Sequence, residues 1–153
     1  MYTIFKNKNP VLRKKAAALK RITNKELMLM DEMLKIMYRD KGIGLAAPQV
    51  GISKQIIVID IGEGPLKLFN PRIIRKKGEM VSLPERCLSL PGLSVKVKRP
   101  KKVLVEACTV SGEKILIEAE DLLARVLQHE IDHLHGRLII DYLPWYRRRL
   151  LLK

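Results

Sequence analysis

The segment Gln128-His129-Glu130-Ile131-Asp132-His133 sets two imidazoles four residues apart, with a carboxylate beside the first. On a helix, residues four apart share a face, one turn above the other. His129 and His133 could then aim two nitrogens at one point, and Glu130 could reach a water held there. Two histidines on a metal with a nearby carboxylate make the apparatus for metal-assisted hydrolysis. The pattern is short, and histidines that merely cap or pack a helix match it as well. The third histidine of the chain, His135, follows the motif by two residues, points to another face and is given no role.

Catalytic sites of this kind need a third protein ligand and an open position. Cys87 is the better candidate. It lies between Pro84 and Pro91, so its segment is expected to be extended or turning. A thiolate with two imidazoles suits zinc or iron(II). The competing reading of Cys87 is a buried, inert thiol, and that reading fits Cys108, which sits in a regular strand pattern. A second unusual segment is Gly42-Ile43-Gly44-Leu45-Ala46-Ala47-Pro48-Gln49. It follows a predicted helix and leads into a strand, the reverse of a phosphate loop, so a dinucleotide site is rejected. Small residues there let a backbone come close. Gln49 is the one side chain in the segment able to donate to a reacting carbonyl.

These groups have to be positioned by the elements around them. Residues 1–22 read as basic and mostly irregular, with a short helical turn around Val11 to Lys20. Thr23 and Glu26 have capping-box spacing. A helix follows to about Arg39, with Leu27, Met30, Leu34 and Met37 toward the core, and Gly42 ends it. Gln55 to Asp60 reads as a buried strand. Leu66–Phe69 and Arg72–Lys76 look like strand pieces split at Asn70-Pro71. Leu93–Lys98 suits a half-exposed strand, and Val103–Val110 with Lys114–Glu118 a hairpin. The histidine motif lies on a helix from about Asp121 to His135. Its residues Leu123, Val126, Leu127, Ile131 and Leu134 cover much of the circumference, which marks a central helix. Leu138 to Tyr142 could add a strand. The pattern is α+β, with mostly antiparallel sheets packed around the helix that bears the HExxH motif.

The 153 residues suit a single domain, 1–153, ending in a short basic tail, 143–153. Hydrophobic residues make up 47%, as in a folded protein. No apolar run approaches a membrane span, and the start lacks a secretory signal, so a cytoplasmic location is expected. Two cysteines do not suggest a disulfide framework. Lys and Arg number 30 against 16 Asp and Glu, a net charge of +14. That excess implies attraction to polyanions such as the ribosome surface, although no specific nucleic-acid motif accompanies it.

Taken together, GIGLAAPQ at 42–49, ERCLS at 85–89 and QHEIDH at 128–133 resemble the peptide deformylases. That family carries GΦGΦAAxQ, EGCLS and QHEΦDH in this order, Φ being apolar. The similarity runs from near the N-terminus to about Tyr142. The resemblance implies one divalent metal held by Cys87, His129 and His133, with Fe2+ expected and Ni2+ or Zn2+ able to replace it. It implies Glu130 as general base and acid. It also implies that Gln49 and the backbone N–H of Leu88 stabilise the oxyanion and that Gly44 pairs its backbone with the substrate. The implied reaction releases formate from the N-terminal formylmethionine of nascent polypeptides. By position, Leu83, Leu122 and Val126 are candidate walls for the methionine pocket, with ordinary core as the competing reading. Arg99 and Asp132 match a pair that would orient a ligand, or else form a routine surface pair. Arg86 replaces the usual Gly of EGCLS and bears on the substrate groove. Two other functions fit parts of the pattern. One is a general metallopeptidase. The other is a catalytically silent ribosome- or RNA-binding protein with a structural metal.

Overall fold

The computed structural model describes residues 2–151. Helix α1 spans Asn24–Arg39. It starts where expected: the Thr23 backbone N–H donates to Glu26 Oε2 at 2.9 Å, and Lys54 Nζ holds Glu26 Oε1 at 2.9 Å. The Thr23 hydroxyl and Lys54 together pull the Glu26 carboxyl down to about 2. The buried face of α1 is wider than the predicted stripe. It comprises Leu29, Met30, Met33, Leu34, Ile36 and Met37, while Leu27 is only half buried. Lys41, not Gly42, takes the left-handed turn after the helix, at φ 58°. The Gly42 N–H then closes on Met37 O at 2.8 Å.

Five strands follow: β1 (Gly44–Ala46), β2 (Ile56–Ile59), β3 (Leu66–Cys87), β4 (Leu90–Cys108) and β5 (Lys114–Glu120). They pair antiparallel in the order β1-β2-β3-β4-β5. The pieces expected on either side of Asn70-Pro71 are one strand. Asn70 adopts φ 50° and the register shifts between Phe69 and Arg72, so the dipeptide makes a bulge and not an end. Asn70 secures that bulge by accepting from Leu19 N–H at 2.8 Å and donating to Leu19 O at 2.7 Å. Leu93–Lys98 and Val103–Cys108 likewise belong to the single strand β4.

The central helix α2 runs Asp121–Leu134. Its apolar side joins Ile57, Ile59, Leu68, Val105 and Ala119 in one core cluster, and α1 fills a second with Leu45, Ile56, Val58 and Phe69. Two expectations at the ends are corrected. Leu138 to Tyr142 adds no strand, because Ile139–Tyr142 is a 3-10 turn closed by Asp141 Oδ2 on the Leu138 N–H at 3.0 Å. The early turn is the shorter Pro10–Arg13, capped by Asn9 Oδ1 on Val11 N–H. The basic tail forms helix α3, Trp145–Leu151.

Gly136 ends α2 at φ 72°, and a Cβ there would collide with the Arg13 carbonyl oxygen. Gly136→Ala is therefore expected to cost about 1–3 kcal/mol. Calorimetry should show a Tm lower by several degrees; an unchanged Tm would contradict the collision.

Candidate metal centre

Helical spacing on α2 stacks His129 above His133, with ring centroids 5.1 Å apart. The end of β3 brings Cys87 against them, and Cys87 Sγ lies 3.4 Å from His133 Nε2. All three residues are buried, and one ligand atom from each falls within 4.8 Å of the others. Cys108, by contrast, has no such company among the described residues and stays half-buried at the end of β4.

Two residues before Cys87 on the same strand, Glu85 presents its carboxylate to the same side. Both oxygens are fully engaged. Oε1 accepts from His129 Nδ1 at 2.9 Å and from Arg99 Nη2 at 2.9 Å. Oε2 accepts from Arg99 Nε at 2.6 Å and from Arg125 Nη1 at 2.6 Å. A carboxylate can only accept, so His129 Nδ1 donates and Nε2 is the nitrogen left for the centre. Arg99 also reaches Asp132 Oδ2 at 3.0 Å, and Tyr142 donates to the same oxygen at 2.7 Å. The expected Arg99–Asp132 pair thus exists. It is no surface pair, since Arg99 is 3% exposed. Sequence reasoning gave no part to Glu85, Arg125, Ser89 or Tyr142. The available signal for Glu85 was its i−2 position from Cys87, and for Arg125 its i−4 position from His129.

The electrostatics favour a positive charge here. Burial pushes His129 down, but contacts with Cys87 and Glu85 and the field of Glu130 outweigh it and raise the imidazole to about 10. His133 is held well below its ordinary value, by burial first and then by His129. Without an ion, His129 therefore carries a second ring proton, on Nε2, while His133 stays neutral. A divalent cation can take the place of that proton, because metal binding releases ligand protons. One thiol, two imidazoles and an open side fit a tetrahedral or five-coordinate divalent ion.

The open side is a cleft of about 730 Å³ lined by Gly44, Gln49, Cys87, Leu88, His129 and Glu130, among others. Gln49 sits in a 3-10 turn, Ala47–Val50, and is 1% exposed. Its Oε1 accepts from Ala46 N–H at 3.0 Å, which turns its amide nitrogen toward Ser89 Oγ at 3.1 Å and Cys87 Sγ at 3.6 Å. Glu130 is buried and its Oε2 has no hydrogen-bond partner among the described residues. Burial, followed by opposing fields from His129 and Glu85, leaves its carboxyl raised to about 7. A buried, unpaired carboxyl with a raised pKa beside a cleft makes Glu130 a candidate proton-transfer group.

Of the residues expected to touch substrate, Arg86, Leu122 and Val126 line the cleft along with Gly44. Leu83 is not among the lining residues; it lies on β3 opposite Val97, 48% exposed. His135, to which no role was given, donates from Nδ1 to Ile131 O at 2.9 Å and lies outside the cleft.

Gly44 leaves room for the Glu130 carboxyl. A Cβ on it would stand 2.5 Å from Glu130 Oε1 and 3.0 Å from Cδ. Gly44→Ala must displace that carboxyl. A misplacement on the order of 1 Å costs about 10²-fold in rate, so a fall of roughly ten- to a hundredfold is expected, with Tm and metal content unchanged. Full activity in this variant would mean Glu130 works from another rotamer.

The comparisons with known proteins agree on one family. The model of the polypeptide deformylases matches residues 1–149. The peptide deformylase of Desulfitobacterium hafniense is 52% identical over 141 residues, covering 92% of this chain and 93% of that protein. Among solved structures, the peptide deformylase of Thermotoga maritima superposes with a TM-score of 0.91 at 41% identity, over 94% of this chain and 98% of that one. The Synechococcus elongatus enzyme, solved with actinonin, gives 0.93 at 41% identity over 99% and 84%.

Proposed function

The chain belongs to the polypeptide deformylase family, and on that premise we propose how its own residues carry out the reaction. It is a hydrolase that removes the formyl group from the N-terminal formylmethionine of new polypeptides and releases formate. Neither a general metallopeptidase nor a silent RNA-binding protein is supported by its relatives.

One observation carries the residue assignment. The buried Cys87–His129–His133 triangle shares a cleft with an unpartnered Glu130 oxygen. A purely structural metal site would need no such oxygen. Cys87, His129 and His133 hold a single divalent ion, iron(II) in the cell with nickel or zinc as substitutes. When bound, the ion supplies Lewis acidity, which eases loss of a proton from water and polarises a carbonyl. Glu130 takes the proton from the attacking water, whose oxygen joins the formyl carbon. Gln49 Nε2 and the Leu88 N–H meet the negative charge that grows on the formyl oxygen. Glu130 then hands its proton to the amine nitrogen as the C–N bond breaks.

Strand β1 is an edge strand of the sheet. Gly44 on it can pair its free backbone with the substrate peptide, added as a further strand. Leu122 and Val126 wall the methionine side chain. Residues 1–153 act as one catalytic domain. The net charge of +14 favours transient contact with the ribosome in the cytoplasm, and no described helix is long and apolar enough to cross a membrane.

The deciding experiment is formate release from formyl-Met-Ala-Ser by protein loaded anaerobically with iron(II) or nickel. Unformylated Met-Ala-Ser serves as the control. Release from the formyl peptide alone is expected. Cleavage of the control would favour a metallopeptidase, and silence from fully loaded protein would overturn the assignment.

A further inference from the structure

The cleft opens through a rim of cations. Lys6 from the N-terminal segment, Lys41 after α1 and Arg86 from β3 all line it, and all three are exposed. Its carboxylates do little to neutralise them. Asp40 is gripped by Arg39, at 3.1 and 3.3 Å, and reaches Lys6 only through its field. Glu85 is fully engaged by Arg99, Arg125 and His129. Glu130 is buried at the floor. Among the described residues, the salt bridges include none by Lys6, Lys41 or Arg86. Lys6 Nζ only approaches Leu88 O, at 3.4 Å, which ties the N-terminal segment to the turn beside Cys87. Arg86 stands where the EGCLS pattern of the resemblance has Gly.

We propose that this rim makes the enzyme prefer formylmethionyl peptides with Asp or Glu in the first positions after the methionine. The inference rests on the deformylase reading and extends it to substrate choice. An extended substrate advances about 3.3 Å per residue, so its second and third residues leave the floor and pass the rim. A carboxylate there meets three cations that make no salt bridge among the described residues. A Lys or Arg there meets like charge. The groups are exposed, so each attraction is modest, and together they favour the acidic peptide over the neutral one by about three- to tenfold. Salt should erase the preference, since the screening length falls from about 10 Å at 0.1 M to about 3 Å at 1 M.

The test compares kcat/KM for formyl-Met-Ala-Ser with peptides carrying Asp or Lys at the second or third position, at low and high salt, on the metal-loaded parent, Arg86→Gly and Arg86→Glu. Ratios within each protein cancel any general effect of a substitution. The expected order in the parent is Asp above Ala or Ser above Lys. That order should collapse at high salt, shrink in Arg86→Gly and shrink further in Arg86→Glu, where Lys6 and Lys41 remain. Equal ratios in parent and Arg86→Glu would overturn the proposal, as would a parent preference for Lys. Absence of formate from the neutral peptide as well would instead defeat the deformylase reading, and this proposal with it.

Discussion

Glu130→Gln is expected to lower kcat for formate release by at least about 10³-fold, near the upper range for a lost acid–base group. The amide matches the carboxyl in size, so the close fit against Gly44 is kept. Glu130 is not one of the three candidate ligands, so metal content should match the parent. What disappears is the ability to take a proton from water and return it to the amine. The pH profile of the parent gives a second check. The Glu130 carboxyl is raised from 4.5 to about 7 by burial. A bound cation would pull it back toward 4.5, because a nearby positive charge favours the ionised form. A general base works only when deprotonated, so activity should fall as pH drops through that interval, and this acid limb should vanish in the variant. A loaded Glu130→Gln enzyme retaining a tenth of parental kcat would exclude Glu130 as the proton carrier.

Much of this site could be read from residue spacing, because the relevant contacts are local. His129 and His133 share a helix face by periodicity alone. Thr23 and Glu26 set the start of α1 through a contact three residues long. The sheet was harder to read. Asn70-Pro71, Pro84, Pro91 and Pro100 look like breaks, yet the chain runs through them in two long strands. Register shifts between Phe69 and Arg72 and between Lys77 and Met80 absorb the irregularity, and such bulges depend on the partner strand. The network around Glu85 was hidden for a related reason. Its partners Arg99, Arg125 and His129 lie 14, 40 and 44 residues away. Only the crossing of β3, β4 and α2 brings them together. Gln49 falls between these cases: its type pointed to a donor, but its aim depends on Ala46 N–H holding the other end of the amide.

Glu85→Gln is expected to weaken metal binding and the fold at once, although residue 85 need not touch the ion. The carboxylate fills all four of its acceptor positions with donors from His129, Arg99 and Arg125. An amide replaces one oxygen with an NH2, and two donors then face each other in a buried place. If the NH2 turns to the arginines, two buried guanidinium groups lose an anion; if it turns to His129, the ring loses the acceptor that fixes its tautomer. Removing one partner of a buried ion pair costs about 3–5 kcal/mol. Arg99 keeps Asp132 and Arg125 keeps Val97 O and Val81 O, which places the loss near the lower figure. Loss of a group that orients a ligand weakens metal affinity by about 10–100-fold, which chelator competition would measure. The pH dependence separates this account from a general packing defect. Burial raises the Glu85 carboxyl, but His129 and Arg99 outweigh it and hold the group at about 2 against 4.5. A folded-state pKa below the unfolded one stabilises above about pH 4.5 and is lost as pH falls through 2. In the metal-free protein, the gap between parent and variant should therefore close between pH 4.5 and 2. A gap that stays constant across that window would point to packing and remove Glu85 from the centre of the network.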